Sequence, residues 1–147
     1  DPNGSPILFF PPLSASYRMI LGIQDDLMKF SLKAICVNRP GVKGTTPASS
    51  VQDHIDKTCS DAIAVLDYLQ VDRVGILCMC AGSTFAFAFS IKHSLRTTGK
   101  LLGFAPWTLP ADCPHSTSIN RFAANHLPII PVSYVVGTLE MTMMGFV

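Results

Sequence analysis

The stretch Cys78-Met79-Cys80-Ala81-Gly82 holds residue types and spacing that suit nucleophilic chemistry. Before it runs an apolar, strand-like segment with Val74, Ile76 and Leu77; after it comes a helix pattern in which Phe85, Phe87 and Phe89 alternate with small residues. Together these have the outline of a nucleophile elbow, G-x-S-x-G, a strained strand-to-helix turn that lifts one side chain while small neighbours leave room for the backbone. Cys80 stands at the nucleophile position, Cys78 at the first glycine and Gly82 at the last. The same residues also read as two buried cysteines in a core strand followed by a packed helix. As a C-x-C metal pair, Cys78 and Cys80 lack further ligands at a suitable spacing, so no metal is expected.

An elbow needs a sheet to carry it. Ile7-Leu8-Phe9-Phe10 is a short apolar run bounded by prolines, which predicts a strand covered on both faces. After a loop at Pro11–Ser16, Met19, Ile20, Ile23, Leu27 and Phe30 recur at helical spacing from Tyr17 to about Leu32, with Ser16 as N-cap. A second buried strand follows at Ala34–Val37, stopped by the loop Asn38-Arg39-Pro40-Gly41-Val42-Lys43-Gly44. Ser50 opens a helix with Asp53 as the acidic partner of a capping box and Ile55, Cys59, Ala62, Ile63, Leu66 and Leu69 as its apolar stripe. Asp53, Asp56, Lys57 and Asp61 belong to its solvated face. The elbow helix is expected to run to about Ser94, and Leu101–Ala105 is a fourth strand ended by Pro106-Trp107. This alternation predicts an α/β fold with a parallel, doubly covered sheet of about four strands.

Residues 1–107 form the core in this reading and 108–147 a separate segment. That segment, rich in proline and then in Met and Phe, reads as part of a cap or lid and equally as a core helix whose partners lie elsewhere. The chain opens on the turn-rich Asp1–Pro6 with no initiator Met, which suggests that earlier elements are missing or were never encoded.

Composition narrows the function classes. With 147 residues, 48% of them hydrophobic and 14% charged, the chain is at most one domain with a real core. A net charge of +1 with scattered Lys and Arg offers no nucleic-acid footprint. No apolar run reaches the ~20 residues a bilayer span requires. Five cysteines, Cys36, Cys59, Cys78, Cys80 and Cys113, are an odd number, several of them inside strand-like runs. This favours free thiols and a cytoplasmic setting over a disulfide framework.

Four motifs in order, the loop after the first strand, N-R-P-G-x-x-G after the second, the elbow after the third and A-P-W after the fourth, resemble the N-terminal half of an α/β-hydrolase over roughly residues 5 to 130. More narrowly the chain resembles uncharacterised fungal members with a D-R-P-G-x-G-type loop and a P-W motif opening a cap. The resemblance implies that Cys80 is the nucleophile and that the Ala81 N–H supplies half of the oxyanion hole. The other half would come from the first loop, from Leu13 or Ser14, although the family's His-Gly pair is here Pro11-Pro12, and proline has no N–H to give. Asn38 replaces an aspartate that is normally structural. Cysteine at the elbow is compatible with the family, since dienelactone hydrolases use that arrangement and a thiolate is strongly nucleophilic. Asp112 and His115, with His126 as the other histidine, follow in an order that imitates a triad, whereas His54 and His93 are assigned no chemical task. No cofactor is implied.

The resemblance leaves two functions in play. One is an ester, thioester or lactone hydrolase or acyl transferase acting on a small-molecule acyl substrate, in fungi one of secondary metabolism such as a polyketide or toxin. The other is a truncated or inactive relic that binds or self-associates, as a homo-oligomer or with a partner chain completing its sheet. A flavodoxin-like or Rossmann binding protein shares the βαβ alternation but lacks G-x-G-x-x-G after any strand.

Overall fold

The computed structural model describes residues 1–12 and 15–106. They form a four-stranded parallel sheet, β1 (Ser5–Phe10), β2 (Leu32–Ile35), β3 (Val74–Met79) and β4 (Thr97–Phe104), in the order β2-β1-β3-β4. Helices α1 (Gln24–Lys29), α2 (Val51–Tyr68) and α3 (Gly82–Lys92) connect them. This is the predicted α/β architecture. Because side chains alternate across a sheet, Leu8, Phe10, Ile35, Val74, Ile76 and Cys78 share one face, where they pack against Cys59, Ala62 and Leu66 of α2 and Phe85, Ala86 and Phe89 of α3. Ile7 and Leu77 turn the other way, toward α1 and its buried Leu27. Each large apolar side chain fully buried in that core contributes roughly 1.5–3 kcal/mol.

Helix α2 follows its sequence closely. The Ser50 hydroxyl accepts the Asp53 N–H at 3.1 Å. Asp53 does not close the box on Ser50; its carboxylate accepts from Ser49 N–H at 2.7 Å and Ser49 Oγ at 2.8 Å, and pairs with Lys57 at 2.8 Å. The expected stripe is buried at Cys59, Ala62 and Leu66, while Leu69, the C-cap, is 39% exposed.

The segment from Tyr17 departs from expectation. Instead of one helix to Leu32, it forms a 3-10 turn over Tyr17–Ile23 and then the six-residue α1. The 3-10 turn has no buried residue, and Phe30 is 74% exposed. Without an apolar stripe to bury, the stretch gains little from α-helical packing, which supplies most helical stability in proteins. Ser31, at φ +50°, closes α1, so β2 begins at Leu32 opposite Ser5 and ends at Ile35, earlier than the predicted Ala34–Val37.

Strand β4 is longer than predicted because its N-terminal end is tied to the approach to β3. Arg73 donates Nε and Nη2 to the Thr97 carbonyl at 2.8 and 2.6 Å, and Arg96 reaches the Asp72 and Val71 carbonyls at 2.8 and 3.0 Å. The elbow helix ends at Lys92, whose ammonium pairs with Asp56 and so links α3 to α2.

At the other end of β3, Gly82 lets α3 approach β1. A Cβ there would lie 2.1 Å from the Phe10 carbonyl oxygen and 2.7 Å from that of Pro11. Both obstacles are backbone. Gly82→Ala is therefore expected to lower stability by about 1–3 kcal/mol, read from the urea midpoint. Gly22→Ala, whose Cβ would meet nothing within 4 Å, is the control and should leave the midpoint unchanged or raised.

Candidate active site

The backbone at Cys80 decides what this thiol can do. Strand β3 ends at Met79 and α3 begins at Gly82, so the chain must reverse within two residues. It does so with Cys80 at φ +51°. A left-handed conformation costs an ordinary residue roughly 1–2 kcal/mol, and here local bonds hold it. The Cys80 N–H donates to the Phe104 carbonyl at the end of β4, 3.0 Å away. Its carbonyl accepts the Ser83 N–H at 3.0 Å and the Ser83 hydroxyl at 2.8 Å. Ala81 follows at φ −60° and ψ −15°, helical geometry that puts its amide at the head of the 11-residue α3. The first amides of a helix have no intrahelical acceptors and carry the positive end of its dipole.

The four cysteines among the described residues occupy different environments, all as free thiols. Cys78 is fully buried; the Cβ position at Gly103 lies 3.4 Å from its sulfur. Burial pushes the thiols of Cys59 and Cys78 up and raises Cys36 to about 12, despite the attraction of the neighbouring Arg39. Cys80 is half-buried at the turn.

Arg39 is a functional candidate that the sequence showed only as one letter of a loop. Its side chain is 1% exposed. The guanidinium donates Nη2 to the Pro12 carbonyl at 2.5 Å and lies 5.0 Å from the centre of the Phe85 ring. Burial lowers its pKa to about 10, opposed by the sulfurs of Cys36 and Cys80, so it remains a cation at neutral pH. His54 of α2 touches the same ring, with centroids 5.1 Å apart. Burial, and then the Arg39 charge, hold His54 below the ordinary imidazole range. A proline and two glycines around Arg39 signalled a loop; nothing in one sequence marked its arginine as buried.

Of the predicted site, the structure thus brings Cys80, Ala81 and Gly82 together at one turn, with Cys78 below them in the core. Leu13, Ser14, Asp112, His115 and His126 lie outside the described residues. His93 sits at the end of α3, 5.2 Å from the Phe89 ring. No group of three or more His, Cys, Asp or Glu among the described residues is arranged to hold a metal ion. A groove of about 970 Å³ lies on the α1 side of the sheet, and Cys80 is not part of its lining.

Solved structures share this fold. An α/β hydrolase fold protein from Nakamurella multipartita superposes with a TM-score of 0.59 at 21% identity, over 85% of this chain and 47% of its own. A probable hydrolytic enzyme from Pseudomonas aeruginosa gives 0.64 at 18% identity, over 86% and 41%. The fold is that of a partial α/β-hydrolase. An N-acyl homoserine lactone degrading enzyme matches at 0.58 and 26% identity, over 76% of this chain and 42% of its own. The chain therefore spans less than half the length of each of these three proteins. No protein-family model and no curated protein matches the sequence.

The buried Cys36 thiol gives the fold a pH dependence of defined sign. Unfolded, this thiol loses its proton from about pH 9; folded, it keeps it to about pH 12. Its effect on stability is therefore absent below pH 9 and grows unfavourable as pH rises toward 12. Urea midpoints at pH 8 and pH 11 should differ less for Cys36→Ala than for the unmodified chain.

Proposed function

We propose that this chain carries the nucleophile of a hydrolase or acyl transferase that acts on an ester, thioester or lactone, with Cys80 as that nucleophile. The observation that carries the reading is the left-handed Cys80 at the junction of β3 and α3. Non-glycine residues are held in that region where the surroundings over-determine it, and such outliers concentrate at functional sites. The lactone-degrading enzyme among the structures of similar fold supports the substrate class.

In this mechanism the Cys80 thiolate attacks the acyl carbon and a carbon–sulfur bond forms. The carbonyl oxygen becomes an oxyanion, held by the Ala81 N–H and by an N–H of the first loop, Leu13 by the resemblance. Collapse of the intermediate breaks the bond to the alkoxy or thiolate leaving group, which takes a proton from the general acid. Water then adds to the thioester, a general base accepts its proton, and the carboxylic acid and the Cys80 thiol are regenerated. His115 is the proposed acid and base and Asp112 its orienting partner. Residues 108–147 serve as the cap segment, whose Met and Phe content suits a hydrophobic acyl chain. The free thiols suit a reducing compartment such as the cytoplasm, and a polyketide-type substrate of fungal secondary metabolism is the narrower form of the proposal.

A second reading, a binding or self-associating module, is favoured by one specific observation: β2 and β4 are edge strands of the described sheet. A partner strand against such an edge would complete the sheet.

Hydrolysis of short-chain p-nitrophenyl esters and thioesters, with intact-mass detection of an acyl adduct, separates the readings. Turnover and an adduct of the unmodified chain are expected, both lost in a folded Cys80→Ala. Iodoacetamide should also label Cys80 well before Cys36 or Cys59 near neutral pH. Slow, uniform labelling without an adduct would sink the nucleophile reading and favour the binding module.

A further inference from the structure

The loop after β2 reaches back to the loop after β1 at two points, and consecutive residues make the reach. The Asn38 side-chain oxygen accepts the Tyr17 N–H at 2.9 Å. The Arg39 guanidinium donates to the Pro12 carbonyl, which also accepts the Ala15 N–H at 3.1 Å. The two contacts bracket residues 12–17, the segment leaving β1. Arg39 meanwhile stacks on Phe85, one turn into the helix that Cys80 heads, and Phe85 is itself buried against His54 of α2.

The β2 loop is in turn held rigid. Thr45 Oγ1 donates within reach of the Arg39 carbonyl at 2.7 Å and the Val42 carbonyl at 2.9 Å, and it accepts the Val42 N–H at 3.0 Å. Gly41 and Gly44, at φ +82° and +85°, supply the left-handed corners that the loop needs. A rigid loop with a buried, forked cation between two other elements can fix their separation, because a guanidinium offers several donors and a flat face at once.

We propose that Arg39, assisted by Asn38, is a positioning residue for the Cys80 centre, fixing the β1 exit loop against the first turn of α3. This rests on the proposed role of Cys80. The resemblance assigns the second oxyanion donor to the loop after β1, so anchoring that loop at Pro12 and Tyr17 serves the proposed chemistry at Cys80. Misplacement of such a donor costs rate in the chemical step and leaves substrate affinity nearly unchanged.

The test compares the unmodified chain with Arg39→Met, Arg39→Lys and Asn38→Ala, each checked for folding by circular dichroism. Two readouts are taken: kcat and KM for the best ester substrate, and amide exchange of Ala15 by NMR. Arg39→Met is expected to lower kcat about 100-fold with KM within about twofold, and to speed Ala15 exchange. Arg39→Lys keeps a charge and a donor without the planar stack and should fall between; Asn38→Ala should show the smaller loss. These two keep the test decisive if Arg39→Met does not fold. Unchanged kcat in the folded variants, or Ala15 exchange that does not move, overturns the positioning role while leaving Cys80 as nucleophile. A loss confined to KM overturns it as well. Absence of any Cys80-dependent turnover in the unmodified chain sinks the nucleophile reading, and the positioning role with it.

Discussion

The structure turns on one backbone constraint, the left-handed turn at Cys80 between β3 and α3. Left to itself the residue would relax to ordinary strand or helix geometry. Three elements prevent this: the end of β4 takes its N–H through the Phe104 carbonyl, α3 takes its carbonyl through Ser83, and β1 admits α3 only because Gly82 has no side chain. The ends of β1, β3 and β4 are thereby drawn together around the turn that holds Cys80. A parallel sheet places all its strand ends on one side, which is why such sheets carry their sites there.

Arg39 follows from the same geometry. Burying a guanidinium is costly unless its charge and donors are met. Here the Pro12 carbonyl after β1 and the face of Phe85 in the first turn of α3 meet it. Replacing it with an apolar residue of similar volume would fill the space, yet would take the guanidinium donor away from the Pro12 carbonyl.

How much of this was readable from the residues depended on whether local chemistry or tertiary contact decided the outcome. The elbow, the Ser50 cap and the α2 stripe were readable because a small-residue turn, a hydroxyl cap and a 3.6-residue period act over a few positions. The apolar spacing from Tyr17 is helical, but of the residues in the 3-10 turn and α1 the fold buries only Leu27, so the stretch forms less α-helix than that spacing implies. The start of β4 was missed because Arg73 and Arg96, more than twenty residues from their acceptors or across a helix, hold it in place. Arg39 was invisible for the same reason: its partners, Pro12 and Phe85, lie on two other elements.

The cysteine content bears on why the turn, and not residue identity, singles out Cys80 for the proposed role. Burial favours the neutral form of the Cys36, Cys59 and Cys78 thiols. A thiol is useful as a nucleophile only as thiolate, and only where an acyl carbon can reach it. Cys78, two residues from Cys80 on the same strand, shows the contrast: the pleat turns it into the core beneath α3, and it is fully buried. Had Cys80 continued the strand, the same alternation would have pointed it into that core too. The positive φ is what breaks the alternation, so the backbone conformation, and with it the fit of Gly82 against β1, is the physical origin of any reactivity this thiol has.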